Sequence, residues 1–181
     1  MSSSLQILGD LHATTGAKMM ALRDLQKRPA SDRQTTDAIA RCLLTAPEDL
    51  RAPLLRALQQ RSASATYQRA LNEDDPVFAA KVLRALGDQS SAPALAALVA
   101  SSASDAARAA AAHALAVLGC KDPGPLFVAL ADADPQVRFF IVIALGNAPR
   151  SAEIAQALRA RHAVETDPVV ASEIARVLRA Y

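Results

Sequence analysis

Three histidines, two cysteines and 18 carboxylates are the side chains through which this chain could bind a metal or move a proton. His12, His113 and His162 stand apart from one another, and no His-Glu dipeptide, HxxxH or CxxC brings two donors onto one helical turn. Cys42 and Cys120 have no histidine at a ligand spacing, which fits small buried thiols in a reducing compartment. The run Glu73-Asp74-Asp75 is rich enough in charge to hold a cation, but it directly precedes Pro76, where negative charge suits a helix N-terminus. Six glycines contain no GxxxxGK phosphate loop, and neither a nucleophile elbow nor a serine triad is present. These residues predict no enzyme, no catalytic or metal site and no cofactor.

Phosphate recognition is the next chemistry to weigh. Arg23, Lys27 and Arg28 cluster late in one helical stretch, and Arg51, Arg56 and Arg61 recur every five residues in another. Five-residue spacing drifts around a helix and builds no single basic stripe, while cations late in a helix complement its dipole. The net charge is only +2, with ten basic against six acidic side chains in residues 1–70 and ten against twelve in 71–181. Aromatic residues make up 3% of the chain, too few for base stacking to be a theme. DNA binding is therefore carried as an alternative only.

The elements that would position any site are helices. Alanine, the strongest helix former, supplies 42 of 181 residues, and the β-branched alternation of strands never appears. Three stretches repeat one another: VLRALG at Val82 to Gly87, AHALAVLG at Ala112 to Gly119, and IVIALG at Ile141 to Gly146. Their Ala-Leu pairs begin at Ala85, Ala114 and Ala144, spaced 29 and 30 residues, and Val177-Leu178 follows 33 further on. Such a period marks stacked repeats, because one short unit cannot bury its own apolar face. Each unit divides into two helices. The first starts at Asp75-Pro76, Ser104-Asp105, Asp134-Pro135 or Asp167-Pro168, an N-cap followed in three of the four by proline in the first turn. In the third unit the helix is expected to run through Leu145 and stop at Gly146-Asn147 before Pro149. The second helices align PALAAL from Pro93, PLFVAL from Pro125 and EIAQAL from Glu153, giving apolar columns Leu98, Leu130, Leu158 and Ala94, Leu126, Ile154.

The pattern Asp134, Pro135, Val137, Arg138 followed by Ala144, Leu145 and Gly146 resembles the HEAT-like repeat of the phycobilisome-lyase type. The resemblance covers roughly residues 73–181. It implies an all-α fold, a right-handed α-α superhelix (HEAT-like solenoid) of stacked antiparallel helix pairs. It also implies an Asp and Arg ladder between repeats, which makes Asp134 and Arg138 architectural. Ala79 stands where the first unit should carry the arginine, and the Asp105 unit lacks the proline, so the ladder is expected to be discontinuous.

Residues 1–72 show no readable repeat, but helices are expected at 5–13, 16–28, 31–45, 48–61 and 64–72, with Pro53 inside the fourth. They read as degenerate or capping helices of a single helical-repeat domain, 1–181, closed at its far end by a terminal helix from Asp167 to Tyr181.

Aligned on the Ala-Leu pairs, Arg84, His113, Ile143 and Arg176 share one column, and Ala80, Ala109, Phe139 and Ser172 another. Helical geometry places Phe139, Val142 and Ile143 opposite the face of Val137, Ile141, Ala144 and Ala148. Either a neighbouring helix covers them, or they form an apolar patch flanked by Arg84, His113 and Arg176 at a partner or dimer interface. The second helices offer a lining with little charge at Ala96, Ala97, Val128, Ala129, Gln156 and Ala157, suited to a helix or extended peptide. The function expected is a non-enzymatic protein-protein interaction scaffold, adaptor or chaperone, with self-association as one form of contact. An accessory subunit resembling the phycobilin lyases is the alternative that rests on fold analogy. The MSSS start lacks the basic and apolar regions of a signal peptide, and no run approaches the ~18–20 apolar residues of a membrane span, so a cytoplasmic protein, bacterial in style, is expected.

Overall fold

The computed structural model describes residues 3–73 and 75–181, and every regular element among them is helical. Asp74, the middle of the acidic run, lies outside the described residues, as do Met1 and Ser2 of the MSSS start. The chain forms two compact units, residues 1–67 and 68–181.

The first unit contains α1 (Ser4–Gly9), α2 (Thr15–Leu25), α3 (Arg33–Thr45), α4 (Glu48–Gln60) and most of α5 (Ala63–Ala70). The helix expected at 5–13 is cut short because Asp10 turns extended and its carboxylate accepts the His12 N–H at 2.8 Å. Pro53 lies within α4, which continues past it. Leu25, Ile39, Leu50, Leu54, Leu58 and Tyr67 are fully buried and form this unit's core. Arg61 is buried as well: it donates to Thr36 Oγ1 at 2.8 Å, to the Pro29 carbonyl at 2.6 Å and to the Asp32 carbonyl at 3.1 Å. Its guanidinium therefore ties the α2–α3 connection to α4 and leaves the run of basic residues considered for phosphate binding.

The second unit contains α6 (Pro76–Leu86), a 3-10 turn (Gln89–Ser91), α7 (Ala92–Ser101), α8 (Asp105–Leu118), α9 (Gly124–Ala129), α10 (Pro135–Asn147), α11 (Ala152–His162) and α12 (Pro168–Leu178). All four expected first helices are capped where their sequences predict. Asp75, Ser104, Asp134 and Asp167 accept N–H bonds from Phe78, Ala107, Gln136 and Val169. α8 packs between α6 and α10 and against α7, and α10 packs on α12. Short side chains let it do so: Ala107, Ala109, Ala111, Ala112 and Ala114 are all buried. The second-helix columns point inward except at Ala94, which is half-buried: Leu98 and Leu130 are buried, and Leu126, Ile154 and Leu158 fully so.

One expected stop is wrong. α10 runs through Asn147, so Gly146 sits inside the helix. A Cβ there would lie 2.9 Å from Val177 Cγ2, so glycine is needed for the close approach of α12, which sequence spacing does not reveal.

The arginine ladder is present, though not between the residues that the repeat pattern pairs. Arg108 binds Asp132 through Nε at 2.7 Å and Nη2 at 3.0 Å, and Arg138 binds Glu165 through Nε at 2.9 Å and Nη2 at 2.7 Å. Each acid stands two residues before the N-cap of the following first helix and also accepts that cap's own N–H, from Asp134 and Asp167 respectively. Asp134 is architectural through capping. At the first unit both ends of the rung are missing: Ala79 is fully buried in place of arginine, and Ser102 occupies the acid position.

Candidate functional site

The residues aligned by the repeat ruler separate on the second unit. Arg84 on α6 and His113 on α8 meet, with Arg84 Nη1 3.0 Å from His113 Nε2. The His113 ring stacks on Phe140 of α10, centroids 4.2 Å apart and planes 4° from parallel, and Phe140 meets Phe139 edge-on at 5.5 Å. Burial, then the neighbouring guanidinium, lowers the His113 pKa, so a neutral ring whose Nε2 accepts from Arg84 is favoured. Arg84, His113, Phe139 and Ile143 are half-buried. Val142 is a correction: it is fully buried, because the arc of α10 that packs inward is wide enough to include it. Arg176 is exposed and bonded to Glu173 on its own helix at 2.8 Å, and so has its own counter-charge.

Phe140 completes this cluster and went unnoticed in the sequence. The same ruler contains the signal, since Phe140 aligns with Lys81 and Ala110, three residues before the Arg84 column in each unit. Where the other units carry lysine and alanine, this one carries a ring that stacks on His113.

The second candidate is a groove of about 820 Å³ whose lining includes Pro93, Ala96, Ala97, Ala100, Gly119 and Asn147. α7 forms one wall with small side chains. Ala96 is buried and Ala97 is exposed, so the groove floor is near the backbone. The opposite wall is the turn after α8. Gly119 has φ 79° and ψ 160°, a conformation almost restricted to glycine. The Cys120 thiol, its pKa raised by burial, donates to the Asp122 carbonyl at 2.8 Å, and Asp122 Oδ1 accepts the Gly124 N–H at 3.0 Å, holding this turn. Asn147 Nδ2 donates to the Ala116 carbonyl at 3.0 Å and joins α10 to α8. Lys121 and Asp122 are the lining's charged residues and balance each other. Of the lining expected on the second helices, Ala96 and Ala97 contribute. Ala129 is buried, and Val128, 77% exposed, lies elsewhere on the surface.

Among the described residues, no three histidine, cysteine or acidic side chains gather as a metal-ligand set. No helix among them is long and apolar enough to cross a membrane. The class that this fold defines is the helical-repeat protein: all-α, with helices stacked in successive units, in keeping with the HEAT-like resemblance of its sequence. Two solved structures are similar to the chain over nearly its whole length. One is an engineered protein solved by a structural genomics consortium, 18% identical, with a TM-score of 0.55 over 99% of this chain and 96% of that one. The other is a designed armadillo repeat protein in complex with the peptide (KR)4, 17% identical, with a TM-score of 0.56 over 99% of each chain. No family model matches the sequence, and no curated protein does.

Proposed function

We propose that the protein is a non-enzymatic scaffold or adaptor of the cytoplasm that holds a segment of another protein in the groove between α7 and the turn after α8. The groove carries this reading. Its volume lies within the ~300–1,000 Å³ typical of ligand sites, and its alanine wall admits a peptide backbone closely. Gln89, Ser90 and Asn147 provide polar groups to orient a bound chain, while the Cys120 thiol and the Asp122 carboxylate of the same lining are engaged in holding the turn after α8. The helical-repeat neighbour solved with (KR)4 supports peptide binding by such a stack. Charge separates the two cases, because a lining with one lysine and one aspartate has no acidic surplus to hold a basic run. The groove fits a neutral segment rich in small side chains.

Selection of displayed random peptides on the full chain tests this. Neutral, small-residue sequences should be enriched, and Ala97→Arg, at an exposed position that cannot disturb the core, should abolish their binding. Failure to select any peptide, or binding indifferent to Ala97→Arg, would falsify the reading.

A further inference from the structure

The outer face of α6, α8 and α10 forms a second surface that shares none of its residues with the groove. Ala79, Ala80, Val82 and Leu83 are the buried side of α6, which leaves Lys81 and Arg84 as neighbours on the other side, three residues apart. Lys81 is exposed and Arg84 half-buried, and among the described residues neither pairs with a carboxylate. The acids at the helix ends are otherwise engaged: Asp75 caps α6, Asp88 caps the 3-10 turn, and Asp105 pairs with Arg108. Arginine carries five N–H donors, and only the contact to His113 is filled here.

At the same register α8 presents Ala106 and Ala110, which are low, and α10 presents Phe139, Phe140 and Ile143. The surface therefore passes from two unpaired cations, over a shallow alanine strip, to an aromatic and aliphatic wall. His113, clamped between Arg84 and Phe140, fixes both margins. An amphipathic helix laid along α8 would bring one edge to the cations and the other to the rings. We infer that this face docks an acidic amphipathic helix of a partner protein, its carboxylates on Lys81 and Arg84 and its apolar side chains on Phe139, Phe140 and Ile143. Opposite charge selects the partner and speeds its encounter, and burial against the rings holds it.

The probe is a fluorescent helical peptide of about 18 residues with leucines on one edge and glutamates on the other, compared with its glutamine and lysine counterparts by anisotropy on the full chain. The glutamate peptide should bind roughly tenfold tighter than the glutamine one, with the advantage shrinking as salt rises. Lys81→Glu, at an exposed position, should erase that advantage at unchanged helicity, whereas Ala97→Arg should leave it intact. Equal affinity for the two peptides, indifference to Lys81→Glu, or no binding of any peptide up to about 1 mM would overturn the inference. Loss of binding in Ala97→Arg would also overturn it, by placing the peptide in the groove.

Discussion

Single side chains divide here into those that hold the stack and those left over for recognition. Glu165 belongs to the first group: its side chain is fully buried and takes bonds from Arg138 and Arg161. Glu165→Gln leaves a buried guanidinium short of its counter-charge and should cost on the order of 3 kcal/mol in urea unfolding. Glu173→Gln weakens a pair within α12 whose guanidinium is exposed, and should shift the unfolding midpoint far less than Glu165→Gln. Acid tests the same rung. The Arg138 hydrogen bonds hold the Glu165 carboxyl well below the usual carboxylate range, and those of Arg108 lower Asp132. Carboxylates with depressed folded pKa values contribute stability that is complete above their unfolded values, near 4.5 and 3.8, and lost as pH falls through the folded ones. The urea midpoint should therefore decline below about pH 4, with a shallower decline in Glu165→Gln. His113 obeys the same sign for a different reason, since burial favours its neutral form. Its ring should titrate below the ordinary 6.5 by NMR, and Arg84→Ala should move that midpoint upward.

At the scale of helices, legibility followed the range of the interaction. Caps are local, so Asp75, Ser104, Asp134 and Asp167 could be assigned from residues adjacent in sequence. The ladder is not local: Arg138 reaches an acid 27 positions on, and a motif that stops at Ala-Leu-Gly does not contain Glu165. Val142 illustrates the same limit, because the width of a helix's buried arc depends on how many neighbours it has, and α10 packs on α8, α9 and α12. Phe140 was within reach of the alignment, but its role depends on His113 leaning across from α8. Gly146 supplies the sharpest test at this scale. Alanine is about 1 kcal/mol better than glycine inside a helix, yet Gly146→Ala sets a methyl against Val177 and should destabilise the second unit by about 1–3 kcal/mol. Adding Val177→Ala should relieve that clash, so that the double variant costs less than the sum of the two single ones. Gly16 in α2 has open space around its Cβ position, and Gly16→Ala should raise stability instead, by up to about 1 kcal/mol. Opposite signs for one chemical change, read by thermal melting, would separate close packing from propensity.

At the scale of the whole molecule, the two proposed docking surfaces are both lined by residues of the second unit, whose helices pack on one another. Leu83, Leu95, Leu115, Leu126 and Ile141 of that unit are fully buried, and its arginine rungs are closed by its own Asp132 and Glu165. A repeat stack gains its stability from intrinsic and nearest-neighbour terms, so an internally complete set of neighbours should fold when separated. Residues 68–181 expressed alone should give a soluble helical protein with a cooperative thermal transition. A peptide selected on the groove should bind it within about threefold of its affinity for the full chain. The opposite expectation comes from treating residues 1–72 as an end cap, since a stack deprived of its polar end exposes an apolar edge and aggregates. Circular dichroism and light scattering on the fragment decide between the two. An insoluble or molten fragment would make the first five helices part of the folding unit, while a folded fragment that has lost peptide affinity would show that the groove alone does not account for binding.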